Sequence, residues 1–155
     1  MLREAAIPVA GVDELLRRQI RRMADLLIAA DGAGLAATQV GFLRRVFVYR
    51  TSRDAEVDVL LNPRVAERSD EQALFMEGCL SFRTVTVAVR RPVAVHVEAT
   101  DLDGRPRTIE AEGQLASLMQ HEIDHLDGIL TLDRADLDER RRALAVLLGH
   151  ERAAA

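Results

Sequence analysis

His121-Glu122-Ile123-Asp124-His125 sets two imidazoles four residues apart, among the apolar neighbours Leu118, Ile123 and Leu126. In a helix, residues four apart share a face, so both rings reach one point while Glu122 stands beside them. The fold must therefore bury a helix that carries ionisable groups and give its histidines partners, because a buried polar group without one is costly. A cation would be one such partner. The only cysteine, Cys79, lies 42 residues before His121 in Glu77-Gly78-Cys79-Leu80-Ser81. Two neutral imidazoles and one thiolate leave a fourth tetrahedral position for water, which is the layout of a hydrolytic metal site. Glu122 is the expected general base of such a site.

Other readings of the same residues exist. His121 and His125 could be a surface pair or satisfied core histidines, and free cysteine often packs as a small hydrophobe. A nucleophilic cysteine-histidine pair is a third reading, but it leaves Glu122 and the second histidine without a role. Metal ligation uses all four.

At 155 residues the chain reads as a single domain, 1–155. Net charge is −4, and all 21 basic residues are arginine. Arg17, Arg18, Arg21 and Arg22 cluster on one helix face and Arg140 to Arg142 form a second run. With aromatics at 3%, too few for base stacking, these read as solvated faces rather than a nucleic-acid surface. One cysteine permits no internal disulfide, the first ten residues do not resemble a signal peptide, and charges interrupt every apolar stretch. A cytoplasmic home with no membrane contact is the expectation.

Val12, Leu16, Ile20, Met23, Leu27 and Ala30 recur at helical steps, and Asp31-Gly32 stops that helix with glycine available for a left-handed cap. Val46 to Tyr49 reads as a strand, and Val57 to Leu61 as another closed by Asn62-Pro63. Val85, Val87 and Val89 alternate, and Val93 to Ala99 returns through an Asp103-Gly104 hairpin to Thr108–Ala111. Leu115 to Leu126 is the helix of the histidines, Asp136 to Leu148 a last amphipathic helix, and Arg152 to Ala155 a frayed end. The order implies an α+β fold, mainly antiparallel strands around a central metal-binding helix. Asp124 points off the ligand face and is expected to be buried against Arg90 or Arg91.

Gly32-Ala33-Gly34-Leu35-Ala36-Ala37-Thr38-Gln39 lacks the Lys-Ser/Thr pair of a phosphate cradle. Its alternative use is close backbone approach to an extended substrate, with the Gln39 amide as one half of an oxyanion hole. This stretch, Glu77-Gly78-Cys79-Leu80-Ser81 and Gln120-His121-Glu122-Ile123-Asp124-His125-Leu126-Asp127-Gly128 together resemble the motifs of the peptide deformylase family, in order and at family-like spacing.

The resemblance implies a metal-dependent hydrolase that removes the N-formyl group from the initiator methionine of nascent polypeptides. Cys79, His121 and His125 would hold one Fe(II) or Zn(II) ion, and Glu122 would move the proton. Gln39 and the N–H of Leu80 would stabilise the oxyanion, and Ala33, Gly34, Gly78 and Leu118 would meet the substrate. The implied partner is an N-formylated nascent peptide, with the ribosome as a further one; no direct nucleic-acid contact is expected, and the chain would be a monomer or weak homodimer. Phe82-Arg83-Thr84 departs from the family's proline-glycine pair, and Gln114 and Ser117 stand where apolar pocket residues are expected. Their polar groups would weaken the preference for methionine.

Overall fold

The computed structural model describes residues 2–82 and 84–149. The frayed end expected at Arg152 to Ala155, and Arg83 of the departing loop, lie outside them. The elements run α1 (Glu14–Ala29), β1 (Gly34–Ala36), a 3₁₀ turn (Ala37–Val40), β2 (Val46–Tyr49), β3 (Asp58–Arg68), β4 (Gln72–Gly78), β5 (Thr86–Pro92), β6 (Ala94–Thr100), β7 (Pro106–Glu112), α2 (Gly113–Leu126), α3 (Thr131–Arg134) and α4 (Leu137–Leu147). All strand pairs within the sheets are antiparallel: five strands in the order β1-β2-β3-β6-β7, and a separate β4-β5 pair. The α+β architecture expected from the sequence is the one observed.

Two apolar layers sandwich the larger sheet. On one face, Leu16, Ile20, Met23 and Leu27 of α1 pack on Val46, Val48 and Leu61. The N-terminus of α1 is capped by Asp13, whose carboxylate accepts from the Leu16 N–H at 2.7 Å. On the other face, Ala116, Met119, Ile123 and Leu126 of α2 meet Phe47, Leu60, Val95 and Val97. Helix α2 is thus enclosed by the sheet on one side and by β4-β5 on another, and ten of its fourteen residues are buried. A third cluster joins Val87 and Val89 of β5 to Leu132 and Ala143.

Helix α3 and the bounds of strand β1 were not read from the sequence, and three further departures bear on the site. Asn62-Pro63 does not close β3, which continues to Arg68 across a bulge. Asn62 adopts φ 51° there, and its side-chain amide exchanges two hydrogen bonds with the backbone of Val9 at 2.7 and 2.8 Å. Proline lacks an N–H and is tolerated at such a bulge. Strand β4 has no counterpart in the sequence reading, because Gln72-Ala73-Leu74-Phe75-Met76-Glu77 lacks a simple polar-apolar alternation: Leu74 and Met76 are exposed while Glu77 is buried. The left-handed residue after α1 is Asp31, at φ 53°, rather than Gly32. Gly32 serves packing instead, since a Cβ there would come within 2.9 Å of both Leu27 and Leu80. Gly128, at φ 74°, follows the end of α2, and Leu126 accepts from the Ala6 N–H at 2.7 Å. Among the described residues, no helix is long and apolar enough to cross a membrane.

Candidate active site

Residues two apart on a strand share a face, so Glu77 and Cys79, at and just beyond the end of β4, both turn toward α2. The Cys79 Sγ lies 3.2 Å from His125 Nε2, which is 3.1 Å from His121 Nε2. These three ligand atoms fall within 4.8 Å of one another, and all three residues are buried. A thiol and two imidazoles converging at this spacing are a donor set suited to a divalent transition metal with one position left open. Two observations support the fit. His121 turns its Nδ1 toward a carboxylate oxygen of Glu77 at 3.0 Å, an acceptor, so in the neutral ring that a metal would require, Nε2 carries the lone pair for the shared point. Glu122 Oε2 is buried beside it with no protein partner among the described residues.

Electrostatics follow the same geometry. Burial pushes the Cys79 thiol up, but hydrogen bonds and positive field from His121 and His125 outweigh it and bring its pKa down to about 5. Burial likewise opposes ionisation of Glu77, and Arg91 and His121 reverse that, holding its carboxyl near 2. Glu122 goes the other way. Its burial raises the pKa against the attraction of His121 and His125, the direction that makes a carboxylate a better proton acceptor.

Behind the ligands runs a buried ionic network. Arg91 donates to both oxygens of Glu77 at 2.6 and 2.9 Å and to Asp124 at 2.7 Å. Ser117 donates to Glu77 at 2.8 Å, and Arg134 donates twice to Asp124, at 2.6 and 3.0 Å. Asp124 is therefore buried against Arg91, as the sequence suggested, while Arg90 is exposed on the other side of β5. The roles of Glu77, Ser117 and Arg134 were not read from the sequence. For Glu77 a signal existed, since strand alternation places it on the face of Cys79.

In front of the ligands opens a cavity of about 550 Å³. Ala33, Gly34, Gln39, Gly78, Leu80 and Leu118 line it, with His121 and Glu122 at its floor. His125 lies beneath, fully enclosed. Every residue singled out in the sequence thus gathers at one place. The Gln39 carbonyl accepts from the Ala36 N–H at 2.8 Å, which aims its NH₂ at Ser81 Oγ (3.1 Å) and Cys79 Sγ (3.5 Å). Only glycine fits at position 34, where a Cβ would stand 2.8 Å from both the Glu122 carboxyl carbon and Leu118. Thr38 ties this segment to α2, donating to the His125 carbonyl at 3.0 Å. Gln114 and Ser117 do line the cavity, but the Ser117 hydroxyl is turned to Glu77. Of the two residues expected to weaken the methionine preference, only the exposed Gln114 therefore has a side-chain polar group left for the pocket.

Comparison with known proteins agrees with this geometry. The family model described as polypeptide deformylase matches residues 1–141. The chain is 44% identical over 136 residues to the peptide deformylase of Natranaerobius thermophilus, covering 88% of this chain and 86% of that one. It is 45% identical over 135 residues to that of Treponema pallidum, covering 87% and 81%. Among solved structures, a peptide deformylase from Legionella pneumophila superposes with TM-score 0.90 at 38% identity, covering 96% of this chain and 88% of that one. One from Synechococcus elongatus, in complex with actinonin, gives 0.86 at 40% identity, covering 92% and 78%.

Asp124→Asn will destabilise the protein. Breaking a buried pair costs about 3–5 kcal/mol, and the lower end applies because Arg91 keeps Glu77. Urea denaturation measures this, and an unchanged midpoint would show that the network does not brace α2.

Proposed function

The chain belongs to the polypeptide deformylase family, whose members remove the N-formyl group from the initiator methionine of nascent polypeptides, and we propose that it does so with the residues gathered under the cavity floor. The observation that carries this reading is the convergence of Cys79, His121 and His125 beside a buried, unpartnered Glu122. These three would hold one Fe(II) or Zn(II) ion per chain. Such an ion, when bound, supplies a Lewis acid that lowers the pKa of water and polarises the formyl carbonyl.

The protein's own groups do the rest. Glu122 takes the proton of the attacking water and delivers it to the departing amine. Burial, which raises its pKa, favours the proton-accepting step of that cycle. The Gln39 amide, held in orientation by Ala36, and the N–H of Leu80 stabilise the tetrahedral oxyanion of the formyl carbon. Substrate backbone lies between Gly34 and Gly78. Strand β1 ends the larger sheet and β4 pairs only with β5, so each offers main-chain groups to an extended peptide. Pairing of this kind reads backbone rather than sequence, which suits an enzyme that accepts many nascent chains. The first side chain enters the pocket beside Gln114, Ser117 and Leu118. We place the reaction in the cytoplasm, with N-formylated nascent peptides delivered from the ribosome.

The purified protein is expected to deformylate formyl-Met-Ala-Ser, and no turnover by metal-loaded protein would contradict the assignment. Glu122→Gln should keep its metal and fold while losing at least the ~10²–10⁴-fold typical of a general base. Failure only through loss of the ion, seen by metal analysis, would assign Glu122 a different role. Across formyl-Xaa-Ala-Ser peptides, a substrate side chain that covers the exposed amide of Gln114 must desolvate it, which should hold the preference for methionine over norleucine below about a hundredfold, the limit one apolar pocket usually reaches. A larger ratio would show that Gln114 turns its amide out of the pocket.

A further inference from the structure

A second cleft, of about 430 Å³, opens on a different face of α2 and shares no lining residue with the active-site cavity. Gln120, Ile123 and Asp124 of α2 and the following Asp127 form one wall, and the rest is dominated by Arg45, Arg64, Arg68, Arg90, Arg91 and Arg134. Six arginines and two carboxylates thus line a cleft in a protein whose overall charge is −4. Four of the six have anionic partners: Arg45 bonds Asp127 at 2.6 Å, Arg64 pairs with Glu98, and Arg91 and Arg134 share Asp124. Arg68 and Arg90 are exposed at the cleft and have no ion-pair partner among the described residues.

We propose that this cleft binds a ligand carrying several phosphate groups, either a free oligophosphate or a stretch of nucleic-acid backbone. Asp124, Asp127, Glu77 and Glu98 already occupy the other four arginines, so the excess positive charge is carried by Arg68 and Arg90, and a single carboxylate would leave half of it uncompensated. Phosphate oxygens diverge tetrahedrally and bridge guanidinium forks at several angles. The scarcity of aromatics, which spoke against base stacking, is no obstacle, because backbone recognition is electrostatic and sequence-independent.

Binding of tripolyphosphate and of a fluorescent twelve-nucleotide single-stranded RNA to the metal-loaded protein tests this. Arg68→Glu/Arg90→Glu is compared with Arg18→Glu/Arg22→Glu on α1, which makes the same charge change elsewhere. Binding of either probe should weaken at least tenfold in the cleft variant and little in the α1 variant. For the RNA, the slope of log affinity against log salt should fall by about 1.4, ~0.7 for each of the two phosphates that the variant no longer neutralises on a single strand. Binding of both probes identifies the ligand by its phosphates alone, and RNA only would identify the polynucleotide as its source. No binding of either probe overturns the proposal, as does an equal loss in the two variants, which would reflect overall charge. Thermal melting of both variants confirms that they are folded.

Discussion

The arrangement depends on a carboxylate that has no chemistry of its own. Glu77 sits in the core and accepts from Arg91 twice, from Ser117 and from His121. An ionised carboxylate in that position is unfavourable unless its lone pairs are filled, and these four hydrogen bonds fill them. The same bonds fix three elements at once. Arg91 belongs to β5, Ser117 and His121 to α2, and Glu77 to β4. Holding Glu77 places Cys79, two residues on, against the histidines. Orienting His121 through Nδ1 directs its Nε2 toward the point where the ligand atoms meet.

Arg91 extends that support. Its remaining donor reaches Asp124, which lies between the two histidines in sequence and off their face of the helix. Arg134, beyond the end of α2, grips Asp124 from outside. Ionic contacts therefore brace the ligand-bearing helix on the side away from substrate, while apolar packing on Phe47, Leu60 and Val97 braces it against the sheet. The cavity side is left to small residues. Gly34 can stand against the Glu122 carboxyl only because it has no Cβ, and this brings the substrate groove next to the proton-transfer group.

The sequence was most informative where periodicity and chemistry coincided. Spacing alone put His121 and His125 on one helical face, and the stripe from Leu16 to Leu27 marked α1. It was least informative where tertiary context overrides local pattern. Strand β4 exposes Leu74 and Met76 and buries Glu77, the reverse of a hydrophobicity rule, because its inner face answers to charges on α2 and β5. The continuation of β3 through Asn62-Pro63 depends on the Val9 backbone, 53 residues away in the chain. Cys79 could be read as a ligand or as a small core residue until its 42-residue separation from His121 closed in space. Glu77 was visible as part of a motif, but its three partners, Arg91, Ser117 and His121, lie on β5 and α2, which no local reading connects to it.

If Glu77 orients His121 and places Cys79, the ion bound by this chain must see one sulfur and at least two imidazole nitrogens. X-ray absorption at the metal edge of the zinc-loaded protein measures this directly. The account predicts one sulfur at about 2.3 Å and imidazole nitrogens at about 2.0–2.1 Å, with Glu77→Gln broadening the histidine shell or losing part of it. A shell of nitrogen and oxygen alone, with no sulfur in the wild-type protein, would contradict it.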